Sequence, residues 1–422
     1  MQNVYSVLGV SDGVFERVEN AERELKEAFA SAEKTAEINQ LKVLSAFRKN
    51  RVDAACFAGT TGYGHDDRGR DVLEQVYADI FHTEKALVRS QITCGTHALA
   101  VALSANLLPG DELLCPVGAP YDTLEEVIGI RDSACSLKEY GVSYRQVELL
   151  KNDEIDYEGI KNAINEKTKL IEIQRSKGYT VRRTFGVEEI GKLIAFCKSI
   201  KPDVICMVDN CYGEFVEETE PSDAGADLTV GSLIKNPGGG LAPSGGYIAG
   251  KAELVDRCAY RLSAPGLGQD VGASLGVSQS LYQGLFLAPN VVCGALRGAM
   301  LCGKVYEKLG FETEPKSADA RHDIIQCVSL GSSERMFAFC EGVQAAAPVD
   351  SYVTPVPYPI PGYNCDVIMA AGAFIQGASV ELSADGPVRP PYAVYFQGGL
   401  TYASCKTGVM LSLQKLTDKK LI

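Results

Sequence analysis

Residues 225–250 read GADLTVGSLIKNPGGGLAPSGGYIAG. The apolar run LTVGSL (228–233) carries Gly231 and Ser232 at its end, and Lys235, Asn236-Pro237 and three glycines follow. A second apolar run, GGYIAGK (245–251), comes soon after. Short apolar runs punctuated by glycine and proline are the pattern of buried strands. A lysine leaving such a strand among small residues can lose part of its hydration. Desolvation lowers its pKa and frees the amine to attack a carbonyl. The glycines let backbone and a flat ligand come close. The same residues also suit a surface lysine that leaves a strand before a flexible turn.

Upstream, the runs ALVRSQ (86–91), ELLCPVG (112–118), LIEIQ (170–174) and DVICMVD (203–209) alternate with helical patterns. The clearest helix is 187–200, where Val187, Ile190, Leu193, Ile194, Cys197 and Ile200 share a face. Another is expected at 71–82, and a charged helical pattern fills 12–49. Alternation of this kind predicts an α/β fold with a mostly parallel sheet covered on both sides. The rhythm is lost after about residue 290. The proline-rich stretch SYVTPVPYPIPGYNC (351–365) and a final amphipathic helix in TYASCKTGVMLSLQKL (401–416) suggest a smaller α+β unit. The expected division is an N-terminal helical segment (1–55), a large domain (56–290) and a C-terminal small domain (291–422).

Three further segments carry chemistry. DVICMVDNCYGEF (203–215) puts Asp209 at the carboxyl end of an apolar strand, the edge where open α/β sheets bind ligands. An acid there can hold a pyridine nitrogen protonated and make the ring an electron sink; a helix cap or turn is its plainer role. In SQITCGTHALAVALSANLLPGDELL (90–114), Cys94-Gly95-Thr96 open an Ala/Leu-rich helix. Free N–H groups at such a start can hold a phosphate, with the Thr96 hydroxyl and Ser232 as further donors. Simple capping fits the residues as well. In APYDTLEEVIG (119–129), Tyr121 could lie over a flat ring and move a proton, or pack structurally with its hydroxyl on backbone.

The 422 residues carry a net charge of −13, which disfavours nucleic acid as a partner. Fourteen cysteines form no C-x-x-C pair, and with four histidines and no H-E-x-x-H a zinc site is not expected. The charged amino terminus is unlike a signal peptide. No apolar run reads as transmembrane length, so no membrane is expected. Many thiols without a secretory signal point to a cytoplasmic setting. The glycines around Lys235 follow neither G-x-x-x-x-G-K-[ST] nor G-x-G-x-x-G, which argues against a nucleotide site.

Taken in order, FAGTTGYGHDDRGRD (57–71), PYDTLEEVIG, SLIKNPGGGLAPSGGYIAG and ELSADGPVRPPYAVYFQGGLTY (381–402) resemble the aluminium-resistance or methionine γ-lyase-related branch of the Cys/Met-metabolism enzymes. These have the fold type I of pyridoxal 5′-phosphate-dependent transferases. The resemblance covers nearly the whole chain. It implies pyridoxal 5′-phosphate held as a Schiff base on Lys235, with Asp209 on the pyridine nitrogen and Tyr121 stacked on the ring. Gly95, Thr96 and Ser232 would hold the phosphate, beside Cys94 where the branch usually has serine. In the broader family a Tyr-x-Arg from a neighbouring subunit completes that site. Tyr63 matches the tyrosine, His65 stands where the arginine would be, and Arg68 or Arg70 could compensate. A homodimer or homotetramer is therefore expected.

Arg389, in GPVRPPY, is the candidate for the substrate carboxylate, with Arg175 and Lys177 of IQRSKGY as alternatives. The expected reaction is β- or γ-elimination from a sulfur-containing amino acid of the cysteine, cystathionine or methionine kind. Lys235 would take the Cα proton and Tyr121 could protonate the departing sulfur. Transamination, and a non-catalytic binding or regulatory role, are the alternatives.

Overall fold

The computed structural model describes residues 2–360 and 365–422; positions 361–364 of the proline-rich stretch lie outside the described residues. The expected alternation is present. The first sheet contains β1 (Lys85–Arg89), β2 (Glu112–Cys115), β3 (Ser143–Gln146), β4 (Thr168–Gln174), β5 (Ile205–Asp209), β6 (Leu228–Ser232) and β7 (Gly246–Gly250). Their spatial order is β1-β7-β6-β5-β4-β2-β3. Strands β3, β2, β4, β5 and β6 run parallel, while β7 is antiparallel to both its neighbours.

Helices cover both faces. On one, Leu99, Ala102 and Leu103 of the helix Gly95–Asn106 pack with Met207, Val230 and Ile248. On the other, Ile190, Leu193, Ile194 and Cys197 meet Leu114, Ile171, Ile173 and Val208. Burial on two faces is why these strands read as continuous apolar runs.

The second sheet is antiparallel. It contains β8 (Glu312–Glu314), β9 (Ile325–Ser329), β10 (Val367–Ala370), β11 (Ser383–Pro387) and β12 (Ala393–Gln397), in the order β10-β11-β12-β9-β8. The C-terminal helix Tyr402–Asp418 packs beside the helix Ser333–Ala345.

The helical pattern over 12–49 is present as two helices, Asp12–Arg23 and Lys26–Lys49, broken where Leu25 turns into the core. One expectation needs correction. The helix Ser278–Lys308 is, by length and composition, long and apolar enough to cross a membrane, against the reading that no such run exists. Most of its apolar window is buried inside the fold. A core helix apolar on all sides passes the same test as a membrane span.

This helix also explains Gly239 in the turn after Lys235. A Cβ on Gly284 would stand 2.1 Å from the Gly238 carbonyl oxygen, and one on Gly239 (φ +53°) 2.2 Å from that of Gly284. Backbone therefore lies on backbone, and the Lys235 turn is seated on the helix. Gly284→Ala is expected to cost about 2–3 kcal/mol, because neither chain can yield without shifting. Urea denaturation of the variant would measure it, and a loss under about 0.5 kcal/mol would contradict so close a seat.

Candidate active site

Three neighbouring parallel strands end at one place. Gln174, Asp209 and Val230 stand in register across β4, β5 and β6, and Ser232 closes β6 two residues later. Lys235 follows at the head of a short turn of 3₁₀-helix, Asn236–Gly238. Gln174, Asp209, Ser232 and Lys235 line a cavity of about 390 Å³. Its wall is shared by Cys94, Gly95, Thr96 and Tyr121 from the first sheet's side, and by Met369, Asp385, Tyr395 and Gln397 from the second sheet.

A Cβ on Gly95 would stand 3.3 Å from Cys211 Sγ, 3.4 Å from Ser232 Cβ and 4.0 Å from Lys235 Nζ. The start of the helix Gly95–Asn106, the end of β6 and the lysine amine therefore converge. Cys94 precedes that helix without a side-chain cap, leaving its first N–H groups to be satisfied otherwise. Ser232 Oγ is buried and has no hydrogen-bond partner among the described residues. Thr96 Oγ1 faces Thr123 Oγ1 at 2.7 Å. A buried hydroxyl without a partner costs about 1–3 kcal/mol, so such groups at a cavity wall are provision for a polar ligand.

Asp209 is buried, and its Oδ1 accepts from the Cys211 backbone N–H at 3.0 Å. Lys235 Nζ lies over the Tyr212 ring, 4.2 Å from its centre. Burial disfavours its ammonium, but the negative charge that Cys211, Tyr212, Asp209 and Glu214 can carry outweighs this and raises its pKa. The lowering expected from desolvation alone is thereby reversed: the strand end brings acids along with apolar groups. In the bare chain Lys235 is an ammonium ion.

The remaining candidates lie elsewhere. Tyr63 is 71% exposed, outside this cavity, with its ring stacked on His65 at 5.7 Å. Arg70 is buried, and its guanidinium donates to the Gly64 and Gly272 carbonyl oxygens and pairs with Asp71. Arg68 pairs with Asp53 at 2.8 Å. Arg175 and Lys177 are fully buried and do not line the cavity. Arg175 bonds Asn210, Gly213 and Glu217, and Lys177 donates to the Glu314 carbonyl oxygen at 3.0 Å. Arg389 lies on the exposed turn between β11 and β12, outside the lining, where its charge acts on Asp122 and Tyr395. Since Tyr395 lines the cavity and Asp122 follows the lining residue Tyr121, Arg389 stands near its rim.

The residues not foreseen are Tyr212, Asp385, Tyr179 and Gln397. Tyr212 and Asp385 fall within segments already singled out, DVICMVDNCYGEF and ELSADGPVRPPY. No periodicity told which member of each segment faces inward.

Comparison with known proteins agrees with this arrangement. The pyridoxal 5′-phosphate-dependent protein YhfS of Escherichia coli shares the fold, with a TM-score of 0.62 at 17% identity over 91% of this chain and 96% of that one. The fold is thus the α/β type I fold of such enzymes. A profile described as methionine gamma-lyase matches residues 14–417, and the chain belongs to that family. The uncharacterized protein YnbB of Bacillus subtilis (strain 168) is 53% identical over 392 residues, 92% of this chain and 93% of its own. A carbon-sulfur lyase involved in aluminum resistance from Clostridium novyi NT has a TM-score of 0.94 at 45% identity, covering 98% of both chains.

Proposed function

We propose that the protein is a pyridoxal 5′-phosphate-dependent carbon–sulfur lyase acting on an amino acid. The observation that carries this reading is the convergence of Lys235, Asp209 and the partnerless Ser232 hydroxyl on one cavity at the ends of β5 and β6. A phosphate would meet the open N–H groups beside Gly95, the Thr96 hydroxyl and Ser232. Asp209 would hold the ring nitrogen, and Tyr121 and Tyr212 would bound the ring.

When bound, pyridoxal 5′-phosphate supplies a protonated pyridine that draws electrons from Cα. The chain does the rest. Lys235 would hold the cofactor at rest, and its amine, once free, would take the Cα proton. Asp209 would keep the ring nitrogen protonated. Arg389, at the rim, receives the substrate carboxylate. Tyr121 is assigned the proton that the departing sulfur takes up. The assembly proposed is a homodimer or homotetramer in which the exposed Tyr63 reaches a neighbouring site. All fourteen cysteines are free thiols, which suits a reducing, cytoplasmic setting.

The test joins two measurements on the purified protein. Borohydride should fix a visible-absorbing group to the peptide that carries Lys235. A thioether amino acid should then release ammonia and a 2-oxo acid with no acceptor added. Dependence on a 2-oxo acid acceptor would replace elimination with amino transfer. A colourless protein that takes up no pyridoxal phosphate would overturn the enzyme reading altogether.

A further inference from the structure

Asp385 is a buried carboxyl that the proposed chemistry does not use. It sits in the middle of β11, with Met369 of β10 on one side and Tyr395 of β12 on the other. It is 4% exposed, and it lines the cavity beside Tyr179, Tyr212, Tyr395 and Gln397. Among the described lining residues, the charge-bearing side chains other than Asp385 are Asp209 and Lys235. Both are spoken for by the cofactor. Among the described residues no lysine, arginine or histidine forms an ion pair with Asp385. An isolated carboxylate taken out of water is strongly disfavoured unless a cation meets it.

Burial accordingly pushes the Asp385 carboxyl up to about 7, with the Tyr179 hydroxyl opposing the shift. The strand thus spends stability to keep an acid on a cavity wall, where an amide or a serine would hydrogen-bond at lower cost. A ligand bringing its own positive charge offsets that cost.

We infer that Asp385 determines specificity by pairing with a second, distal ammonium of the substrate. The substrates taken would be amino acids with a cationic amino group beyond the sulfur, in preference to methionine or cysteine. The sulfur in this description rests on the lyase reading above; the ammonium does not. The geometry is coherent, because Lys235 at the edge of the first sheet and Asp385 on the second sheet line one cavity, with the Tyr212 ring 4.2 Å from Lys235 Nζ and within the field of the Asp385 charge. A ligand in that cavity can therefore meet the lysine and the acid together. The α-amino end belongs at Lys235 and the distal amino end at Asp385.

Sulfur-free probes test the acid apart from any cleavage. L-lysine, its uncharged isostere L-2-aminoheptanoate and L-2-aminoadipate would be titrated calorimetrically into the cofactor-loaded protein at pH 8. Wild type should bind lysine about tenfold more tightly than 2-aminoheptanoate, and 2-aminoadipate more weakly than either. In Asp385→Asn the lysine preference should disappear, with 2-aminoheptanoate binding within about twofold of wild type. Asp385→Ser serves as a second variant, and the order of the three probes on wild type is decisive without any substitution. Equal binding of lysine and 2-aminoheptanoate by wild type, or a preference surviving in Asp385→Asn, would overturn the inference. A preference lost in the variant from a protein that cleaves no thioether would sink the lyase reading and leave this one standing. Thioether cleavage without a lysine preference would do the reverse.

Discussion

Replacing Lys235 with alanine should lower turnover by about 10⁴-fold while leaving a folded protein. Two losses combine. The amine that fastens the cofactor is gone, and so is the base that takes the Cα proton. Borohydride labelling at the position should vanish with the activity. Stability should fall too, because the ammonium sits among Cys211, Tyr212, Asp209 and Glu214 and its pKa is raised by them against the effect of burial. A lysine raised in this way contributes stability that is present below its unfolded pKa of about 10.4 and is lost only at higher pH. At pH 8 its removal is expected to cost about 3 kcal/mol in the cofactor-free protein, since acids are left buried without their cation. Steady-state rates, adduct mapping and urea denaturation measure the three effects separately. Turnover near the wild-type level would remove Lys235 from the mechanism.

The second large effect concerns pH. Burial pushes the carboxyls of Glu172 and Glu214 up to about 8. Glu172 receives the Cys115 thiol at 3.2 Å and Glu214 the Tyr247 hydroxyl at 2.8 Å. In each, the other oxygen has no partner among the described residues. Asp385 and Glu74 are pushed up to about 7, Glu74 despite its Arg89 neighbour. These folded-state values exceed the unfolded ones of about 4, so the native chain holds the extra protons between pH 4 and 8. Stability is greatest at the acid side of that window and declines as pH rises through 7 and 8. A tenfold tighter hold on one proton is worth about 1.4 kcal/mol, so the cofactor-free chain should lose several kcal/mol between pH 5.5 and pH 8.5. Glu214→Gln should be near neutral at the lower pH and stabilising by about 2 kcal/mol at the higher. Denaturation midpoints at the two values decide the matter, and a flat profile would mean that these acids are ionised in the fold.

Fold and site were legible in the sequence to different depths. Strands buried on both faces announce themselves as apolar runs, which is why β1, β2, β4, β5, β6 and β7 fall where the sequence pattern puts them. The helix Val187–Ile200 has the bounds its apolar face predicts. Strand β3 lies at the sheet edge with two of its four residues exposed, and an edge strand needs no apolar run. Lys235, Asp209, Ser232 and Gly95 could be singled out because strand ends converge at one sheet edge. Asp385 could not, since an acid between small residues reads like any turn until the second sheet folds its face over the cavity. The direction in which the Lys235 pKa moves was also hidden, because it depends on which acids gather in space rather than on neighbours in the chain.

The helix Ser278–Lys308 seats the Lys235 turn near its start, at Gly284, and meets the second sheet near its end, where a Cβ on Gly303 would stand 2.4 Å from Gln326 Oε1 of β9. One helix thus braces both the lysine turn and the antiparallel sheet. A substitution in the antiparallel layer that shifts this helix is expected to change how firmly the turn carrying the reactive amine is held.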